Sequence, residues 1–410
     1  MSRSKTLSKL KELGAPRAVR SKQMDTFWKG PVADGITFSL LSNFVVCRER
    51  FRLQVVDGLR EDEGFNDAIE SGSMWHEMEE ALAWGKDPIQ AAKDYGKKLR
   101  KIYGSPAQDQ ITKWVGLCSR VFPIYVDWWT RHPFVKGRKP IMAEVSFRVP
   151  YKLPSGRTLT LRGKMDAVWS KARGIWLQEN KMKGDIDEEG ILHTLTGQLQ
   201  VMIYQTALRL LRDGHGTLDG YVRGTRDPQA FWKGTFRRKD PGPPAFRIPK
   251  APVKGVVYNV IRRPLSDRHS IRPRKTDGED KHPAKFWDRF AQTVKEDPGH
   301  HFKRWEGLIH DTDLERFQDR ILNPLLEDLL DWWDWIIQDP DNPWRKPKGT
   351  VEDILLAGLR PGVCGGGIHT QTPWGCYNSL ARGFRGDYFQ FLTTGATRNL
   401  IRVDTLFPEL

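Results

Sequence analysis

Asp166, Glu179 and Lys181 are the residues of this 410-residue chain whose types and spacing could do chemistry together. They lie in the stretch RTLTLRGKMDAVWSKARGIWLQENKMKGDIDEEGILHTLTGQLQVMIY, residues 157–204. Two runs with period-2 character, Thr158–Val168 and Gly174–Gln178, flank a turn-like Ser170-Lys171-Ala172-Arg173 and predict a β-hairpin. Side chains alternate along a strand, so Glu179 and Lys181 point to one side and Asn180 to the other. The hairpin can bring Asp166 beside the first two. Two carboxylates converging on one point suit a hard divalent cation, and a lysine puts a positive donor beside an attacking water. Those are the parts needed to hydrolyse a phosphodiester. The plain alternative is an exposed hairpin with scattered charges. Glu144, on the preceding run Ile141–Val149, is either a further carboxylate near the cation or a solvent-facing strand residue.

Helical spacing brackets this hairpin. Phe38 to Cys47 begins a helix with Ser39 as N-cap, and Leu40, Phe44 and Cys47 share a face with Phe51. A second helix covers Phe65–Trp84, where His76, Glu79 and Glu80 stand at i, i+3 and i+4. A histidine so placed is more often structural than a ligand. A third helix, Pro106–Thr130, carries Cys118 on its apolar side. After the acidic 184–190 stretch, a helix over Ile191–Arg212 places Gln200 and Tyr204 on one edge. Leu218–Gly224, Val256–Ile261 and Phe302–Ile309 read as strands, and Phe286–Val294 as a short helix. A long helix over Leu314–Gln338, N-capped by Asp313, presents Phe317, Ile321, Leu325, Leu329 and Trp332. Aromatics interleave with basic residues over 227–252, which suits either a backbone-contacting loop with stacking side chains or a linker with an apolar anchor.

Lys and Arg total 66 against 51 Asp and Glu, a net charge of +15 that favours a polyanionic partner. No run of 18 apolar residues exists, so no membrane span is expected. The basic N-terminal stretch lacks an apolar h-region, so a cytoplasmic location is expected. Four cysteines in 410 residues do not make a disulfide scaffold. No Walker loop, dinucleotide-binding glycine pattern or helicase motif appears, so any motor is expected from another chain.

The order His76, Asp166, Glu179-x-Lys181, Gln200-x-x-x-Tyr204 resembles the PD-(D/E)XK nuclease superfamily, in particular its branch of RecB-type and Cas4-type nucleases and their phage relatives. The segment F-S-L-L-S-N-F-x-x-C-R-E-R-F is similar to that branch's first helix, and Y-N-V-I-R-R-P and F-K-R-W to later segments of phage members. The resemblance implies an α/β, restriction-endonuclease-like core, a mixed central sheet flanked by helices, with a helical N-terminal part and a C-terminal helical, cysteine-bearing extension. The corresponding division is a basic flexible arm over 1–35, a nuclease core over 36–265, a loop-rich connector over 266–300 and a C-terminal strand, helix and tail over 301–410. It implies that His76, Asp166, Glu179 and the Asn180 carbonyl ligate Mg²⁺ or Mn²⁺, and that Lys181 orients the attacking water. Gln200 and Tyr204 would contact DNA phosphate or brace the site. Cys47, Cys364 and Cys376 match three positions of an iron–sulfur cluster, but no cysteine occurs in 377–383, where the fourth is expected. The cluster is therefore incomplete, completed by a ligand such as His369, or lost; zinc is a lesser reading.

The implied activity is a metal-dependent DNA nuclease, an exonuclease in phage or prophage recombination, repair or genome processing. A recombinase, single-strand-binding protein or helicase would be its partner. A non-catalytic DNA-binding protein on the same fold is the alternative, and RNA as substrate is a third reading.

Overall fold

The computed structural model describes residues 27–46, 48–56, 58–61, 64–83, 86–131, 139–184, 186, 188, 197–219, 250–263, 284–338 and 400–402. Cys47, Cys364, Cys376 and His369 lie outside them, as do most of the aromatic-basic 227–252 stretch and the ends of two expected elements, 191–196 and 220–224.

A six-stranded sheet organises the chain. Its strands are β1 (Lys139–Lys152), β2 (Thr158–Lys171), β3 (Gly174–Lys183), β4 (Thr217–Asp219), β5 (Val253–Arg262) and β6 (Phe302–Leu308), in the spatial order β4-β1-β2-β3-β5-β6. Ala172 and Arg173 both take positive φ (48° and 58°), the conformation a two-residue hairpin needs to match strand twist, so β2 folds directly back on β3. The chain then leaves through helix α5 (Leu199–Arg212) and returns with β5 parallel to β3, while β6 pairs antiparallel to β5. The sheet is thus mixed, as the resemblance implies. Within it Gly255 is held against β6 so closely that a Cβ would collide with the Gly307 carbonyl.

Helices α2 (Asp67–Ala83), α3 (Pro88–Tyr103), α4 (Gln108–Arg131) and α6 (Ala284–Glu296) share one core containing Met74, Trp75, Leu99, Trp114, Phe122, Tyr125 and Phe286. Helix α3 was not foreseen, though Asp87 caps it through Ile89 N (2.8 Å) and Pro88 opens it, a standard start signal. Cys118 is buried in this core, as its apolar neighbours predict.

The chain divides into two compact units. The first takes 1–62, 150–163 and 315–410; the second takes 63–149 and 164–314. In the first, α1 (Phe38–Val46) is capped by Thr37, whose Oγ1 accepts from Leu40 N (3.2 Å), and not by Ser39, which lies inside the helix. Trp28, Phe44, Phe51, Trp332 and Trp333 pack edge-to-face around it. The long C-terminal helix is broken: Asp311–Phe317 passes through a π-helical turn, Gln318–Leu322, into α7 (Asn323–Gln338). Pro324 explains the break, because it lacks an N–H and its ring displaces the carbonyl one turn back. The extra residue in that turn rotates Ile321 out of the stripe predicted for it, leaving it exposed, whereas Leu322, Leu326 and Leu329 are fully buried. The helix begins at Asp311, so Asp313 is within its first turn and reaches back to His310 N (3.3 Å).

Candidate active site

Every residue of the site belongs to the second unit. The β2–β3 register pairs Ala167 with Gln178, which places Asp166 across from Glu179. Asp166 Oδ2 accepts from the Asn180 backbone N (2.5 Å), tying the carboxylate to the peptide between Glu179 and Lys181. Lys181 Nζ lies 2.6 Å from Glu179 Oε1. From α5, Gln200 spans the pair: its Nε2 donates to Glu179 Oε1 (2.7 Å) and its Oε1 accepts from Lys181 Nζ (2.9 Å). Tyr204, one turn on, is buried with its ring edge-to-face on Phe147 (5.4 Å). Burial, then the Glu179 and Asp166 charges, hold its phenol well above the usual range.

The second half comes from α2 and β1. His76 Nδ1 lies 3.1 Å from Glu144 Oε1 and 3.9 Å from Asp166 Oδ1. Ligand atoms of His76, Glu144 and Asp166 all fall within 4.8 Å of one another. Glu144 is therefore the inward carboxylate of the two readings left open. It reaches inward because its backbone leaves the strand conformation, with φ at 49°, and Ala143, Glu144, Val145, Ser146 and Phe147 are buried without alternation. Lys164, two residues before Asp166 and so on its side of β2, binds Glu144 Oε2 (3.1 Å) and lies 3.7 Å from Glu80 Oε2. Sequence reasoning missed Lys164, although alternation from Asp166 was enough to find it.

The electrostatics are those of crowded carboxylates. Burial, then the charge of Glu179, holds Asp166 well above the usual carboxylate range. Burial disfavours the His76 imidazolium, but Asp166 and then Glu144 outweigh it and raise the group to about 10. Burial likewise acts against charge on Glu144, and His76 and Lys164 overcome it, so that carboxyl is lowered. Glu179 stands outside the three-residue cluster; its Oε1 is taken by Lys181 and Gln200, and its Oε2 is buried with no hydrogen-bond partner among the described residues. An orphaned carboxylate oxygen, a neighbouring carboxyl that resists ionisation and a histidine nitrogen form a donor set that fits a divalent cation. Oxygen donors suit Mg²⁺, and the imidazole extends the fit to Mn²⁺.

The structure brings Asp166, Glu179, Asn180, Lys181, Gln200, Tyr204 and His76 into one neighbourhood, while Cys47, Cys364 and Cys376 lie outside the described residues. None of the curated proteins matches the chain. The family model of the PD-(D/E)XK nuclease superfamily matches residues 36–318, a span that contains the whole sheet and every residue of this site. With that match over more than half of its length, the chain belongs to the PD-(D/E)XK nuclease superfamily.

Proposed function

We propose that the protein is a divalent-metal-dependent deoxyribonuclease of the RecB-type and Cas4-type branch, an exonuclease serving phage or prophage recombination, repair or genome processing. The observation that carries this reading is the bridged set of Asp166, Glu179, Lys181 and Gln200 beside the His76–Glu144 pair. A bare binding surface has no need to bury three carboxylates, whose desolvation is costly without a cation to share.

His76, Asp166, Glu179 and the Asn180 carbonyl would hold Mg²⁺ or Mn²⁺, with Glu144 a further oxygen donor. The cation, when bound, supplies Lewis-acid polarisation of the phosphate and lowers the pKa of a bound water. Lys181 orients the attacking water and stabilises the charge that builds on the phosphate as the P–O bond to the leaving group breaks. Gln200 fixes both Lys181 and Glu179, so that neither has to be reordered at the moment of reaction. Tyr204 braces Gln200 and the Lys164 backbone of β2, with its ring packed on Phe147 of β1. The net charge of +15 supports a nucleic acid as substrate.

The test is incubation of the purified chain with end-labelled linear DNA, closed circular DNA and RNA in Mg²⁺, Mn²⁺ or EDTA. Loss of linear DNA in metal, with circles and RNA intact, is the expected pattern. Cut circles would replace the exonuclease with an endonuclease. Binding without cleavage in either metal would leave a DNA-binding protein on a nuclease fold.

A further inference from the structure

Behind the site, on the opposite face of β3 from Glu179 and Lys181, lies a buried polar chain that the proposed chemistry does not use. Asn180 Oδ1 accepts from Gln178 Nε2 and from Asn259 Nδ2, each at 3.0 Å. Asn259 is its register partner on β5 and is fully buried. The same Nδ2 donates to the Tyr125 hydroxyl of α4, and Asn259 Oδ1 accepts from Arg304 Nε on β6 (3.3 Å). Tyr125 is also fully buried and donates onward to the Glu79 carboxylate of α2. Glu79 stands one helical turn after His76.

The chain therefore ends at both halves of the site. One end holds the helix that carries His76. The other holds Asn180, whose peptide lies between Glu179 and Lys181 and whose N–H donates to Asp166. Apolar side chains fill the neighbouring core without difficulty, as Val257, Val260 and Ile261 do on β5. A connected polar chain across three strands and two helices brings no such simple gain in burial, but it fixes register and distance, because a shift of either end leaves a buried donor unpaired.

We propose that Asn259 and Tyr125 are positioning residues that set the His76 helix against the Glu179–Lys181 strand, and so tune the affinity of the site for its cation. This rests on the nuclease reading given above. The test compares wild type, Tyr125→Phe and Asn259→Leu with Phe122→Leu, a core change that alters the ring packing beside Tyr125 but removes none of the hydrogen bonds of the polar chain. Three quantities are measured on each full-length protein: Mn²⁺ affinity by calorimetry, kcat and KM on DNA, and thermal unfolding. The two network variants are expected to bind Mn²⁺ about 10-fold more weakly and to lose about 10- to 100-fold in kcat, with KM for DNA unchanged. Phe122→Leu is expected to lower the unfolding temperature and leave both other quantities unmoved. Wild-type Mn²⁺ affinity in both network variants, or an equal loss in Phe122→Leu, overturns the inference, as does a wild type that binds no Mn²⁺. If the wild type binds Mn²⁺ but cuts no DNA, the nuclease reading fails while the affinity comparison still decides the positioning role.

Discussion

The convergence of Asp166, Glu179 and Lys181 was legible because it depends on two simple rules, strand alternation and a two-residue turn, and both can be read from residue types. His76 was legible only through its place in the family order, since a histidine on an amphipathic helix carries little information alone. Glu144 could not be decided from spacing, because its inward direction depends on a backbone kink that the residues around it do not announce. The Asn259 chain was hidden for a related reason: Tyr125 reads as core aromatic and Asn259 as one polar residue in an apolar strand. Two predictions belong to single residues. In EDTA, the raised His76 contributes stability that is complete below the unfolded value of 6.5 and is lost as pH rises toward about 10. Urea unfolding of wild type and His76→Asn at several pH values should therefore show a stability gap that is largest at low pH and closes on the alkaline side. A gap that widens with pH would contradict the placement of His76 between Glu144 and Asp166. Burial also pushes the Cys118 thiol up to about 12, so the peptide containing it should resist iodoacetamide at pH 8 in native protein and react in urea.

Elements were recovered more fully than their ends. The strands and the helices carrying His76, Cys118 and Gln200 were anticipated from period and caps, but α3 was passed over despite its Asp-Pro start. The helix leading to α7 was read as one piece because apolar spacing does not show a π-turn, and Pro324 was the signal to heed. The cap of α1 separates two readings two residues apart. Thr37→Ala should cost about 1 kcal/mol in denaturant unfolding, and Ser39→Ala should cost much less. Equal losses would move the cap back to Ser39. On the sheet, Gly255→Ala forces a methyl against the Gly307 carbonyl and should destabilise by about 1–3 kcal/mol. An unchanged denaturation midpoint would mean that β5 and β6 do not approach as closely as described.

At the scale of the whole molecule, the mixed sheet was expected from the family resemblance, but its strand order was not. Which strand the returning β5 joins depends on packing across the core and not on any local pattern. The charge was legible and points the same way as the site: an excess of +15 suits a polyanion, and three buried carboxylates beside a lysine suit cutting one. The claim that joins these is that Asp166 is needed for bond cleavage and not for holding DNA. The most direct measurement is single-turnover cleavage of a 5′-labelled linear duplex in Mn²⁺ by wild type and Asp166→Ala, with DNA affinity measured on both. Cleavage by wild type, a loss of about 10³-fold or more in the variant and similar affinity in the two are expected if the claim holds. Equal cleavage by Asp166→Ala, or a wild type that binds duplex and Mn²⁺ yet leaves every phosphodiester intact, would contradict it.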